Sequence, residues 1–218
     1  MRTARDALLE AAATALERQS WAVVRMVDVA AAAGVSRQTL YNEFGSKEGL
    51  GRALVRREAD AYLAGLDRAL ASHTDPRERL AAAAEWTARA GRGGALARAV
   101  LTGCWNDRLP SPVLTAVPSS SAVPAQRRAD GPLPSPAELV ALARDRAVAA
   151  LGALPGAVGA SPARAASPAR AEPGAWGRAC ELAVRVGLSC VLVPPGPGTS
   201  VADLVRSALP RRVPGGAA

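Results

Sequence analysis

The chain has 218 residues, enough for one small and one medium domain. Its 27 basic and 19 acidic residues leave a net charge of +8, which suits an acidic partner such as nucleic acid. The excess sits late, however: residues 1–60 hold nine basic against eight acidic residues, net +1, and residues 61–218 hold 18 against 11, net +7. The three cysteines, Cys104, Cys180 and Cys190, are odd in number and unpaired in spacing, which argues against a disulfide framework or a zinc site. Asp6, Glu10 and Glu17 interrupt any signal-peptide core. The uncharged stretch near the end contains Pro194, Pro195 and Pro197, which a spanning helix does not accommodate. A soluble, cytoplasmic protein with no membrane partner is expected.

Taken in chain order, residues 3–19 predict a first helix, with Ala4, Ala7, Leu8, Ala11, Ala12, Ala15 and Leu16 on one apolar stripe. Trp21 and Val23 are expected to plug the core of a small domain. A helix from Met26 to Ala33 follows, and Gly34 stands where a helix ends, in the left-handed conformation that glycine enters cheaply. Val35 should face inward. Ser36 is a good N-cap for the next helix, which runs to Phe44. Val29, Ala30, Val35, Leu40 and Phe44 lock the two short helices together. Arg37, Gln38, Thr39, Tyr41 and Asn42 are left on the outer face. That set suits DNA: arginine with guanine, glutamine or asparagine with adenine, the threonine methyl with thymine, tyrosine with phosphate. A serine-capped amphipathic helix of no particular function would explain Ser36 and the apolar face, but not an unbroken polar face after a glycine turn.

The run from Asp28 to Leu50, DVAAAAGVSRQTLYNEFGSKEGL, resembles the signature of the TetR family of bacterial transcriptional regulators. The resemblance is dense over about the first 60 residues and thin beyond. It implies an all-helical homodimer that binds a double-stranded DNA operator and is released by a small-molecule ligand. Two positions depart from the pattern. Arg25 stands where the family has a threonine that caps the second helix and touches phosphate; the cap is lost, while a phosphate contact stays open to Arg25. Glu43 stands where the family often has a histidine, and it has no proton to donate to phosphate.

Ser46 predicts the cap of a long helix reaching about Leu70, with Leu50, Leu54, Ala61, Leu63, Leu66 and Leu70 on its stripe. Asp75-Pro76-Arg77-Glu78 is a helix start, with a capping aspartate, proline at the first position and glutamate at the third. That helix heads for Ala90, and Gly91, Gly93 and Gly94 should interrupt it. A further piece from Ala95 to about Asp107 would carry Leu96, Val100, Leu101, Cys104 and Trp105. Residues 110–136, with seven prolines, and 155–175 read as low-complexity loops. Between them, 137–153 predicts a helix through Leu139, Val140, Leu142, Ala143, Ala147 and Leu151. Trp176 to Val193 predicts another, with Ala179, Leu182, Ala183, Val186, Cys190 and Val193 apolar. A short last helix, from Ser200 to Leu209, resembles with its predecessor the closing pair through which the family dimerises. No β-pattern appears, so the fold class is all-α: a three-helix helix-turn-helix domain over 1–45 and a helical ligand-binding and dimerisation domain over 46–218.

His73 is the only histidine and suits a helix C-terminus or plain exposure better than catalysis. No metal site and no catalytic set stand out: Ser119 to Ser121 have no base nearby, and Gly91-Arg92-Gly93-Gly94 lacks a preceding strand and a phosphate-loop lysine. Aromatic residues number only seven. Trp86, Trp105 and Trp176, with Cys104, Asn106 and Cys180, are candidates for an apolar ligand pocket carrying a few polar groups; packing anchors are the competing reading. The DNA-contact candidates are Arg25, Ser36, Arg37, Gln38, Thr39, Tyr41, Asn42 and Lys47. The expected function is a ligand-responsive regulator, a repressor on a palindromic operator, with no enzymatic activity and no cofactor. The alternative is a dimeric small-molecule-binding protein or enzyme whose helix-turn-helix is vestigial.

Overall fold

The computed structural model describes residues 3–110, 133–152 and 173–209. Among them it holds nine α-helices, one short 3-10 turn and no strand. The helices are α1 (Ala4–Arg18), α2 (Met26–Ala32), α3 (Arg37–Phe44), α4 (Lys47–Ala71), α5 (Pro76–Arg92), α6 (Ala95–Thr102), α7 (Pro136–Gly152), α8 (Pro173–Leu192) and α9 (Val201–Ala208). The fold is all-α with an N-terminal helix-turn-helix, as the sequence implies. The low-complexity stretches expected at 110–136 and 155–175 lie almost wholly outside the described residues.

Two compact units result. One gathers the described residues of 1–60 and 94–135, and the other those of 61–93 and 136–218, so α4 runs from the first into the second. The first unit begins with a capping box: the Thr3 hydroxyl accepts the Asp6 N–H at 3.1 Å while the Asp6 carboxylate accepts the Thr3 N–H at 3.1 Å. Leu8, Leu9 and Ala12 of α1 enter a core with Trp21, Val24, Val29, Ala30, Leu40, Phe44, Leu50 and Leu54. Val23, expected in that core, is 57% exposed, and Val24 takes its place at 2%. The cause is the 3-10 turn Trp21–Val23: with three residues per turn, positions 21 and 24 point the same way.

In this unit α6 stops at Thr102, because Gly103 turns left-handed at φ 75°. Cys104 and Trp105, expected on that helix, therefore lie beyond its end. The loop that follows returns to the start of the unit, where the Trp21 N–H donates to the Arg108 carbonyl at 2.7 Å.

The second unit is assembled on α5 and α8. A Cβ at Gly187 would lie 2.7 Å from the Ala84 carbonyl oxygen, and one at Gly91 would lie 2.4 Å from Val191. These two glycines let α5 and α8 meet at backbone distance, and they decide which face of α8 turns inward: Cys180, Ala183, Val184, Cys190 and Val191 are buried. Leu182 and Val193, among the apolar positions read from the sequence, are 40% and 75% exposed.

The buried hydroxyls of Tyr62 and Thr87 are paired. The Tyr62 hydroxyl and Thr87 Oγ1 lie 3.1 Å apart, and Thr87 Oγ1 donates to the Ala83 carbonyl at 2.9 Å. The Trp86 indole N–H donates to the Tyr62 carbonyl at 2.9 Å. Asp75 caps α5, its Oδ1 accepting the Arg77 and Glu78 N–H groups at 2.8 and 3.1 Å. Ser200 and Asp203 form a capping box on α9. Arg206 of α9 donates from Nε and Nη2 to the two Glu78 oxygens, each at 2.9 Å, and Arg77 donates to the Arg206 carbonyl at 2.5 Å. This forked pairing fastens α9 to the first turn of α5.

Candidate nucleic-acid interface

The interface grows from one turn. Gly34 sits at φ 68°, a conformation that costs glycine little and other residues about 1–2 kcal/mol. The Val35 N–H then donates back to the Ala30 carbonyl at 3.1 Å, and the Val35 side chain packs on the core, closing α2 against the start of α3. Ser36 caps α3 as its type predicts: its Oγ accepts the Thr39 N–H at 3.0 Å and lies 2.9 Å from the Thr39 hydroxyl. Leu40 and Phe44, four residues apart, bury the inner face. Arg37, Gln38, Tyr41 and Asn42 are exposed and Thr39 half-buried, so the polar face is presented outward together. Gly45, at φ 70°, ends the helix, and its N–H donates to the Tyr41 carbonyl at 2.8 Å.

Two outer-face residues are tied to each other. Gln38 Nε2 donates to Asn42 Oδ1 at 2.8 Å, one helical turn on. Arg25 occupies the N-cap of α2 without capping it by its side chain, in line with the departure seen in the sequence. Its guanidinium grips the Asp28 carboxylate at 2.7 and 3.0 Å. That pair is well exposed, so exchanging Asp28 for a phosphate costs little. Lys47 opens α4, where Ser46 Oγ accepts the Gly49 N–H at 3.1 Å. The Lys47 ammonium donates to the Ala22 carbonyl at 2.9 Å and lies 5.5 Å from the Trp21 ring centroid. An ammonium has three donors, and two remain for phosphate.

Sequence reasoning missed Arg5. Its Nη1 donates to the Glu43 carbonyl at 3.3 Å and lies 3.5 Å from the Glu43 carboxylate, and its guanidinium carbon is 4.6 Å from the Phe44 ring centroid. Glu43, which has no proton for phosphate, thus serves as an anchor for α1. An arginine 38 residues upstream carries no local signal of this contact.

The candidate ligand residues fall on both units. Cys104, Trp105 and Asn106 belong to the first unit, where Cys104 and Asn106 are exposed and Asn106 Oδ1 accepts the Arg108 N–H at 3.0 Å. Trp86 and Cys180 belong to the second. The Trp86 ring occupies the space where Gly65 would carry a Cβ. Cys180 is fully buried, and burial pushes its thiol up to about 12, so it is protonated at neutral pH. The Trp176 side chain lies outside the described residues. His73 is exposed, and its carbonyl accepts Arg79 Nε at 2.6 Å. Among the described residues no three His, Cys, Asp or Glu groups gather in a metal-binding arrangement. No described helix is long and apolar enough to cross a membrane.

The family model "Bacterial regulatory proteins, tetR family" matches residues 8–54, the stretch from α1 through the turn and α3 into α4. This segment is that of a TetR-type helix-turn-helix. The chain is 48% identical over 56 residues to the HTH-type transcriptional regulator AlkX of Mycobacterium tuberculosis, covering 26% of each chain. It is also similar to the HTH-type transcriptional activator FasR of Mycolicibacterium smegmatis, 38% identical over 81 residues and 37% of each chain. The matched segments thus span roughly a quarter to a third of these relatives. The likeness of fold extends further. A TetR family repressor AlkX from Dietzia, described as implicated in n-alkane biodegradation, superposes over 95% of this chain and 94% of its own, with a TM-score of 0.51 and 22% identity. The superantigen PfiT superposes over 94% of each chain, with a TM-score of 0.57 and 20% identity.

Proposed function

We propose that the protein is a transcriptional repressor that binds a palindromic DNA operator as a homodimer and is released by a small molecule. The observation that carries the reading is the polar outer face of α3, standing behind the Gly34 turn and the Ser36 cap with Arg37, Gln38, Tyr41 and Asn42 exposed together. A solvated surface helix needs no such turn, whereas a major-groove reader does. Arg37, Gln38 and Thr39, at the N-terminal end of α3, take the base edges. Tyr41 and Asn42 follow. Ser36, Arg25 and Lys47 take phosphate, Lys47 with help from the N-terminus of α4.

Residues 1–45 act as the reading head and 46–218 as the ligand-binding and dimerisation part, with α4 as the connection. The homodimer uses the last two helices, α8 and α9; Leu182 on α8, and Leu192 and Val193 at its end, are exposed apolar side chains. A small molecule bound in that C-terminal part shifts the population towards a dimer whose two α3 helices no longer match successive major grooves. The protein has no enzymatic role and works in the cytoplasm.

The test is a gel shift on fragments of the source genome at several salt concentrations. A preferred fragment should be retarded, and Lys47→Ala should weaken binding to preferred and other fragments alike while lowering the salt slope by about one. Equal binding to every fragment would refute operator recognition.

A further inference from the structure

We propose that Gln38 and Asn42 form one reading unit specific for adenine, in which Asn42 acts as a positioning residue that prevents Gln38 from accepting guanine. The inference rests on the operator-binding reading above and adds the base chosen at one position.

The observation is the 2.8 Å hydrogen bond from Gln38 Nε2 to Asn42 Oδ1 on the exposed face of α3. A carboxamide carries two N–H donors and one carbonyl acceptor. With one N–H held by Asn42, Gln38 keeps a single N–H beside its Oε1, a donor next to an acceptor. Adenine offers the complement in the major groove: N7 accepts and the N6 amino group donates. Guanine offers two acceptors, N7 and O6. A glutamine with both N–H groups at liberty can serve those two acceptors, whereas one that has given an N–H to Asn42 would leave its own Oε1 facing guanine O6.

The tie also removes a second freedom. The terminal torsion of glutamine is broad and roughly two-fold, so an untethered carboxamide presents either order of donor and acceptor. With Asn42 Oδ1 turned towards Nε2, as in this structure, the order is donor to Asn42 and Oε1 outward. The geometry needs the i,i+4 spacing of one helical turn, which Gln38 and Asn42 have. Asn42 therefore sharpens the choice without having to touch the base that Gln38 reads.

The experiment is selection of bound sequences from a randomised DNA pool by the full-length protein, followed by affinities for single-base variants at one salt concentration. The wild type should select adenine at one position of each half-site. Gln38→Ala should lose preference there altogether. Asn42→Ala should keep a purine preference but accept guanine, narrowing the adenine-over-guanine ratio at that position by about tenfold. Asn42→Asp keeps an acceptor for Nε2, so it should retain the ratio while binding all DNA more weakly through its added negative charge.

An Asn42→Ala protein whose ratio stays within twofold of wild type, or which changes a different base pair, would overturn the pair while leaving operator binding intact. A wild type that selects no sequence would overturn both.

Discussion

Arg5 and Glu43 tie the first helix to the recognition helix: Arg5 Nη1 reaches the Glu43 carbonyl at 3.3 Å and its carboxylate at 3.5 Å, with the guanidinium over Phe44. The bond falls on a carbonyl in the last turn of α3, where intrahelical partners run out. A cation there also complements the helix dipole. Arg5→Ala should cost about 1–2 kcal/mol of stability, from a charged hydrogen bond and a half-exposed cation–π contact. Specific DNA binding should suffer more than non-specific binding, because the end of α3 loosens. A melting temperature and specificity ratio equal to wild type would show the contact to be idle.

Gly65 and Trp86 make a second test. Alanine is the better helix former by about 1 kcal/mol, so propensity favours Gly65→Ala. A Cβ at that position would lie 2.0 Å from the Trp86 ring, whose N–H is held by the Tyr62 carbonyl. Overpacking of that kind costs about 1–3 kcal/mol and should win. Thermal unfolding should show a lower melting temperature and an altered tryptophan emission. A rise in melting temperature would mean the ring moves freely.

The Arg206 guanidinium, hydrogen-bonded to Glu78, holds the Glu78 carboxyl below its ordinary value of 4.5. A depressed carboxyl stabilises the fold above its unfolded value, and the contribution is lost as pH falls through the folded one. The difference in melting temperature between wild type and Glu78→Gln should therefore be present at pH 7 and shrink at pH 3. A difference of the same size at both values would remove Glu78 from the acid response.

Much of the reading head was legible because its signals are local. Gly34, Ser36 and Phe44 announce turn, cap and core within eleven residues, and Asp75-Pro76 announces α5. The face of α8 was not legible in the same way. Leucine and valine occur all round it, so periodicity alone had no means of choosing. The choice is made by Gly187 against Ala84 and Gly91 against Val191, contacts between residues about 100 apart in sequence. Val24 replaced Val23 because a three-residue turn, not an α-helix, follows Ser20. Trp105 lost its helix to a left-handed Gly103.

Dimerisation tests the outer face of α8. Val186 lies there, half-buried, between exposed Leu182 and Val193. Val186→Arg should place an unpaired charge in the interface, which costs about 3–5 kcal/mol. Sedimentation should then show monomer at concentrations where the wild type is dimeric. A variant that stays dimeric would move the interface elsewhere.

The most direct measurement is selection of bound fragments from the source genome, followed by a salt titration on the winner. An operator-reading dimer predicts an enriched inverted repeat whose half-site centres lie about 10 base pairs, or a multiple of that, apart, with affinity falling steeply as salt rises. Failure to enrich any sequence, or binding that is equally tight to every fragment at each salt concentration, would contradict it.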